Sequence, residues 1–513
     1  MSLISSIHIA NQALSVNQAA ITAVSNNISN VDTVGYSKLN INLESVINYT
    51  STSGGPLALA NTLSGVELES IQRASDAYLQ SSYWQETSNT SYLDKYTTVA
   101  SNVEDLMNEL SNTGLSDALS DFYAAATNLS TYPSNITARQ NYLSAADNLC
   151  STFNNISGDL SSLSQSLVGD PTNVALLSSS EIAGDVSDVN NLLDQIATVN
   201  YNIIRTNSSG ASSPALLDQR DALVTSLSSL IPLTVTTNDS GTVNLSLGEY
   251  SLVKGSVVSG YLNVTSGDAT TPAVIGIVNK EGTTLYSNVN SSITSGEIGA
   301  ILDICGSDAD NFTINSVLSG LNTLASEFAN VLNTIQTGDP EGDGTTAMCM
   351  DSTSQTLIAA TDNIFVANGG GAITAANISI NSAVSADPYL IAAARVDLTT
   401  GVDYSNATGN NSNAALILAS RNNTYGALNS STIEGYLSVT VSQVGADVQN
   451  LESKLTSQST LLTQVESQLN SVTGVNLDEE LVNLIKYQRA YQASARIFSV
   501  CSDLLEELVN LGK

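Results

Sequence analysis

Both ends of this 513-residue chain carry a heptad seam, and that pattern restricts what the chain can fold into more than any other feature. Near the N-terminus, Leu3, Ile7, Ala10, Leu14, Asn17, Ile21, Val24, Ile28 and Val31 follow one another in alternating steps of four and three. Asn17 is the single polar residue in that row, and one Asn at a seam position fixes register at some cost in stability. The helix is predicted to break at Asp32-Thr33-Val34-Gly35, where glycine supplies a turn residue. Near the C-terminus, Leu477, Leu481, Leu484, Gln488, Tyr491, Ala495, Phe498, Ser502, Leu505 and Val509 form a second seam. A third runs through Val448, Leu451, Leu455, Gln458, Leu462, Val465, Leu469 and Val472. Thr473-Gly474 parts the last two, with Asn476 or Asp478 placed to cap the final helix.

The faces beside these seams are small and uncharged: Ala13, Asn17, Ala20, Ala23, Asn27 and Asn30 at one end, Gln488, Gln492, Ala493 and Ser494 at the other. A helix open to water usually carries Lys and Glu there. Two readings follow. Either the small faces pack against other subunits, or the seams close into an internal coiled coil within one chain.

Composition narrows the partners. The chain has 48 acidic and 15 basic side chains, a formal charge of −33, and charged residues are only 12% of the total. Phosphate recognition needs clustered Lys and Arg, so nucleic acid is excluded, and an anionic membrane surface is disfavoured for the same reason. Hydrophobic residues at 42% suffice for real cores. No run approaches the ~18 consecutive apolar residues of a membrane span. The first residues lack the basic segment of a secretory signal peptide, and Asn11, Gln12, Asn17 and Gln18 interrupt any apolar core, so an export route, if there is one, is a different one. Cys150, Cys305, Cys349 and Cys501 lie far apart and read as free, mostly buried thiols.

Between the ends, residues 75–230 are predicted helical, with breaks at Asn112-Thr113-Gly114, Tyr132-Pro133 and Gly169-Asp170-Pro171. Ser213-Pro214 opens a further helix that Pro232 closes. The period then changes. Leu233-Thr234-Val235-Thr236 and Val243-Asn244-Leu245-Ser246-Leu247 alternate around Asn238-Asp239-Ser240-Gly241, which predicts a hairpin, with short strands continuing to about residue 290. Helix returns over 314–335, and glycine-rich loops follow at 338–344 and 369–371. The expected fold is mixed and mainly α, with terminal helices paired as a coiled-coil core, a helical body and a β-rich inserted domain. The expected divisions are 1–35 with 474–513 as the terminal core, 36–231 with 371–473 as the body, and 232–370 as a variable insertion, β-rich at 233–295.

No catalytic constellation stands out. His8 is the single histidine, too few for a zinc cluster. No nucleophile elbow, phosphate-binding loop or dinucleotide fingerprint occurs. The loop Asp339 to Asp343 lacks the spacing of a calcium loop. Asp218-Gln219-Arg220-Asp221 reads as a helix ion-pair network with Arg220 bridging the carboxylates. No catalytic, cofactor-binding or metal-binding residue is assigned, and no cofactor is expected.

Two terminal segments carry a resemblance. Asn26-Asn27-Ile28-Ser29-Asn30-Val31-Asp32-Thr33-Val34-Gly35-Tyr36-Ser37 is similar to the N-terminal motif of the flagellar axial proteins of rod, hook and hook-associated type. The segment 474–496, with Leu477-Asp478-Glu479-Glu480-Leu481 and Tyr487-Gln488-Arg489-Ala490-Tyr491-Gln492, resembles their C-terminal motif. Leu217-Asp218-Gln219-Arg220-Asp221-Ala222-Leu223, the stretch 122–153, and Asn377-Ile378-Ser379-Ile380-Asn381 with Asp387-Pro388 narrow the resemblance to the hook-associated protein 1 branch. The family usually has Pro where Val34 stands, and Cys305-Gly306 departs from the family's continuation after Gly296–Asp303.

This resemblance implies a structural protein of the bacterial flagellum that polymerises at the hook tip and joins hook to filament. It implies export, unfolded, through the flagellar type III channel to the outside of the cell. The implied partners are copies of itself, the hook protein, neighbouring hook-associated or filament proteins, and a cytoplasmic export chaperone on the C-terminal region; nucleic acid and membrane are not among them. Together with the seams it marks Leu3, Ile7, Leu14, Asn17, Ile21, Val24, Asn27, Ile28, Val31, Gly35, Tyr36, Leu477, Leu481, Leu484, Gln488, Tyr491, Gln492, Ala495, Phe498 and Leu505 as the assembly interface. Another axial protein, of the filament-side hook-associated or flagellin type, and a cell-wall hydrolase are the alternatives.

Overall fold

The computed structural model describes residues 3–51, 59–107, 114–170, 173–209, 213–267, 273–307, 311–400, 402 and 404–511. The first helix, α1 (Leu3–Ser29), is followed by a long hairpin, β1 (Leu39–Ser51) and β2 (Leu59–Arg73). Then come α2 (Ala77–Met107), α3 (Leu115–Thr131), α4 (Ile136–Val168), α5 (Val174–Ser178), α6 (Glu181–Ser208) and α7 (Pro214–Leu230). The predicted breaks fall between these helices, although Asn112, Thr113 and Pro171 lie outside the described residues. Asn135 caps α4 by accepting the backbone N–H of Thr137 at 2.8 Å, directly after the Tyr132-Pro133 break.

The expected hairpin forms as β3 (Thr234–Thr237) and β4 (Val243–Leu247), closed by Asn238 N–H to Thr242 O at 2.8 Å. With β5 (Tyr250–Lys254) and β6 (Val257–Val258) it makes a four-stranded antiparallel sheet; β7 (Tyr261–Ser266), β8 (Ala273–Val278) and β9 (Thr284–Tyr286) make a second sheet of three. On β4, Val243, Leu245 and Leu247 are buried, the period-two burial their alternation predicted. Next come α8 (Gly296–Cys305) and α9 (Ile314–Thr337). Gly296 opens α8 at a positive φ of 76°, and a Cβ there would lie 2.4 Å from Leu230 O, so the turn admits glycine alone.

Strands recur beyond the β-rich stretch expected from sequence: β10 (Thr346–Met350), β11 (Leu357–Ala359), β12 (Phe365–Ala367), β13 (Ile378–Ile380), and, after the short α10 (Ser382–Ala386), β14 (Ala394–Val396). β10 pairs with β14 and so bridges residue 370. These strands have three to five residues, too short for alternation to be read from sequence. Finally α11 (Ser412–Ser420) leads to α12 (Ile433–Thr473) and α13 (Leu477–Leu511). The 41 residues of α12 make a rod about 60 Å long. No helix among the described residues is long and apolar enough to cross a membrane.

The body packs around one large core, with two small clusters beside it where β10 meets β11 and β14. At its centre Phe122 meets Tyr142 at 5.0 Å, Phe328 at 5.2 Å and Tyr123 at 5.3 Å between ring centroids, joining α3, α4 and α9. Two buried arginines pin the segment 388–396 to it. Arg139 donates to Pro133 O at 2.8 Å, Tyr389 O at 3.1 Å and Ile391 O at 2.6 Å, and Arg395 donates to Ile335 O and Gly338 O, each at 3.0 Å. Burial pushes the Arg139 guanidinium down to about 10, which leaves it charged at neutral pH. Cys150, Cys305 and Cys349 are buried free thiols, and Cys501 is half-buried.

Where α2, α6 and α8 approach one another, Lys95 pairs with Glu181, and Asp185 Oδ2 is buried with no hydrogen-bond partner among the described residues. Burial first, then Glu297 and Glu181, push the Asp185 carboxyl up to about 7 from its ordinary 3.8. The native chain therefore keeps a proton that the unfolded chain has lost, and this group's contribution to stability falls as pH rises from about 4 to about 7, then levels off. Asp185→Asn mimics the protonated form. It is expected to unfold in urea within about 0.5 kcal/mol of the parent below pH 5, and to exceed the parent by about 1–2 kcal/mol above pH 8, allowing for solvent screening. An equal difference at both pH values would contradict a protonated Asp185.

Candidate functional site: the terminal helix pair and its joint

α1 and α13 lie side by side, so the chain ends pair within one molecule. On α1, Ala10, Val16, Ala20, Ala23, Val24 and Asn27 are buried. Leu3, Ile7, Leu14, Asn17, Ile21, Ile28 and Val31 are half-buried, and Asn17 bonds its own helix, to Ala13 O at 2.7 Å. The small face Ala20-Ala23-Asn27 is thus used inside the chain, by α13 on one side and the hairpin on the other.

The least exposed line of α13 runs through Glu480, Leu484, Tyr487, Ser494, Cys501 and Leu505. Leu484 and Leu505 belong to the predicted seam; Tyr491 and Phe498 stand at its edge, and Ala495 is half-buried. Leu477, Leu481, Gln488 and Gln492 point outward. The helix is turned by part of a residue step relative to the seam read from sequence. The reason is Glu480, a carboxylate only 1% exposed, which must face α1 to meet its partners. The turn leaves Val482, Ile485, Ile497, Val500, Leu504 and Leu508 exposed, an apolar surface that water does not favour.

At the base of the pair sits a polar joint. Asn27 is fully buried and its amide makes four hydrogen bonds. Its Nδ2 donates to Leu39 O and to Glu480 Oε2, both at 3.1 Å, while its Oδ1 accepts Leu39 N–H at 2.9 Å and the Tyr36 hydroxyl at 2.8 Å. A primary amide offers two donors and two lone pairs, so it is saturated. Lys38 Nζ lies 2.8 Å from Glu479 Oε2 and 3.3 Å from Glu480 Oε1. Asn476 caps α13, accepting the N–H groups of Asp478 at 3.1 Å and Glu479 at 3.3 Å. The acidic first turn, Asp478-Glu479-Glu480, suits the positive end of the helix dipole.

A second cluster ties the hairpin base to α7. Arg73, the last residue of β2, donates to Asp218 Oδ1 at 2.9 Å and also to Asp221 Oδ2. Arg73, rather than Arg220, therefore bridges the two carboxylates; Arg220 bonds Asp221 and turns away to Gly241 O. Residues three apart share a helix face, and Arg220 stands off it. Burial, then the negative charges of Asp218 and Glu480, push the Tyr36 phenol up to about 12, so it stays a donor to Asn27. The bond to Glu479 raises the Lys38 ammonium.

Sequence reasoning missed the hairpin, Lys38, Arg73 and Glu480. The hairpin had a signal, the alternation Leu39-Asn40-Ile41-Asn42-Leu43-Glu44. The ionic partners had none, since they lie far apart along the chain, Lys38 and Glu479 by 441 residues.

The turn entering the joint is testable by itself. Tyr36 N–H bonds Thr33 O at 3.2 Å and Gly35 has φ 78°, a type II turn with Val34 at its second position, 99% exposed. Val34→Pro is expected to stabilise the chain by about 0.4–1 kcal/mol in urea unfolding, because it restricts the unfolded state alone. Gly35→Ala is expected to destabilise by about 1 kcal/mol or more. A destabilising Val34→Pro would rule out that turn.

Comparison with known proteins agrees with this geometry. Residues 7–36 match the flagella basal body rod protein model, and residues 467–511 the C-terminal model of the flagellar basal body rod FlgEFG proteins. These segments hold α1 and α13, and they define the class: the chain is a flagellar axial protein. Residues 100–348 match the model of the helical domain of flagellar hook-associated protein FlgK. Flagellar hook-associated protein 1 of Bacillus subtilis is 26% identical over 98% of this chain and 97% of the relative, and that of Salmonella typhimurium 27% over 98% and 99%. The solved structure of the flagellar hook junction protein FlgK from Burkholderia pseudomallei shares the fold, with a TM-score of 0.57 at 15% identity over 77% of this chain and all of that one. The chain belongs to the flagellar hook-associated protein 1 family and is a structural component of the flagellum.

Proposed function

We propose that this protein polymerises at the hook tip and joins hook to filament, and that it does so through its terminal helix pair. The observation that carries this reading is the exposed apolar side of α13, with Val482, Ile485, Ile497, Val500, Leu504 and Leu508. A surface of that kind marks an interaction site, and repeated heterologously it gives a helical array. The names of the relatives support the same reading. In it the partners are further copies, the hook protein and the adjoining hook-associated or filament proteins. A cytoplasmic chaperone holds the C-terminal region before the chain leaves, unfolded, through the flagellar type III channel. The terminal core comprises 1–35 with 474–513, the body and the insertion 232–370 lie away from the shared surface, and the role is assembly without catalysis.

Ile485→Asp tests it. The residue is exposed, so the monomer is expected to keep its melting temperature, while binding to purified hooks falls about tenfold or more, the equivalent of about 1.4 kcal/mol. Undiminished hook binding would refute the proposed surface, and turnover in a muramidase assay of the intact chain would refute the purely structural role.

A further inference from the structure

Every covalent link between the terminal helix pair and the body passes through residues 30–38, after α1, or residues 474–476, before α13. The joint fastens these two links to each other. Lys38 N–H donates to Thr473 O at 2.7 Å, at the end of α12, while Lys38 Nζ reaches both Glu479 and Glu480 at the start of α13. Asn27 holds Glu480 from the side of α1 and, through Leu39, holds the first residue of the hairpin. Arg73, opposite Leu39 at the base of that hairpin, closes it onto α7. A buried carboxylate held in this way adds little net stability, because its desolvation offsets its bonds. It does penalise every other arrangement, since any change of angle at the α12–α13 elbow strands Glu480 unpaired in a dry site.

We propose that Asn27, Lys38 and Glu480 are positioning residues for assembly: they fix the angle at which the terminal helix pair leaves the body, so that every copy offers its outward α13 face in one direction. The inference rests on the reading of that face as the surface between copies; the angle itself is measured separately.

The test places spin labels at Ser467→Cys on α12 and Ser499→Cys on α13, both exposed, in a Cys501→Ser background; the other three cysteines are buried. Pulsed electron paramagnetic resonance then reads the distance across the elbow, and binding to purified hooks reads assembly. Asn27→Asp keeps the acceptors for Leu39 N–H and Tyr36 but sets a second carboxylate against Glu480. It is expected to broaden the distance distribution and lower hook binding about tenfold or more, with the melting temperature of the body unchanged. Adding Glu480→Gln restores an amide–carboxylate bond with donor and acceptor exchanged, and is expected to return a narrow distribution and bring binding to within about threefold of the parent. Should Asn27→Asp fail to fold, Lys38→Met, which spares the bonds of Asn27, is expected to show the same broadening. A narrow distribution in the single variants overturns the proposal. So does a broad one with undiminished hook binding, or a double variant as defective as Asn27→Asp. If the parent itself does not bind hooks, the proposed function fails, while the distance distributions still decide whether the joint sets the angle.

Discussion

Leu484→Asp is expected to separate α1 from α13 and abolish hook binding, while Lys486→Asp, two residues on, leaves both nearly as they were. Leu484 is half-buried on the side of α13 turned to α1, whereas Lys486 is exposed. A carboxylate at 484 must be buried without a partner or must open the pair, and either costs about 2–4 kcal/mol. Glu480, one turn earlier, is the instructive contrast: it is a carboxylate at the same interface, and it is tolerated because Asn27 and Lys38 meet it. Hydrogen exchange on α1 and α13 checks the result. Protection of both helices should fall in Leu484→Asp and persist in Lys486→Asp, with the body unchanged in each. Equal loss in the two variants would mean that added negative charge, on a chain already at −33, governs the pairing. Retained protection with lost hook binding would move Leu484 from the pairing side to the shared surface.

Phe122→Ala is expected to have the largest effect on stability, and a different distribution. Phe122 is fully buried, and its ring joins Tyr142 of α4, Phe328 of α9 and, at 6.4 Å, Phe365 of β12. Its removal leaves a cavity at the meeting of three elements and should cost about 3–5 kcal/mol. At this size that corresponds to a fall of roughly 3–5 °C in the melting temperature of the body. Protection of α1 and α13 should persist below that temperature, because neither helix contributes to the cluster around Phe122. Simultaneous loss of protection throughout the molecule would show that body and terminal pair unfold as one unit and that the joint transmits more than orientation.

The contrast between these variants follows from what kinds of information the chain carries locally. The seams of α1 and α13 were legible because a long helix repeats its burial every 3.5 residues, and the repetition accumulates over 27 and 35 residues. The hairpin 234–247 was legible because four or five alternating residues flank turn-forming Asn238 and Gly241. Strands of three residues such as β12 and β13 offer no such repetition, and they exist because helix side chains give their backbones partners: Asn333 of α9 donates to Phe365 O at 2.8 Å and accepts its N–H at 3.0 Å, and Asn154 of α4 donates to Ile378 O at 3.2 Å. The first hairpin was missed: Leu39, Ile41 and Leu43 carry a faint alternation, but Asn and Glu stand between them and the segment is weakly hydrophobic overall, so it reads as a link until α1 is seen beside it.

The amino-acid sequence alone determined that the two ends of this protein are long amphipathic helices, that a helical body and a β-rich insertion separate them, and, through its terminal motifs, the family to which it belongs. The tertiary structure alone decided which side of α13 faces α1 and which stays open. A heptad row specifies an apolar stripe about 100° wide, and within that width several rotations bury nearly the same area. Choosing among them takes a group that tolerates one orientation. Glu480 is that group, since it is paired only where Asn27 and Lys38 reach it, and those residues come from the other end of the chain. Hydrophobic area is additive and can be read along a sequence; the pairing of a buried charge depends on distances in space, which no local pattern records.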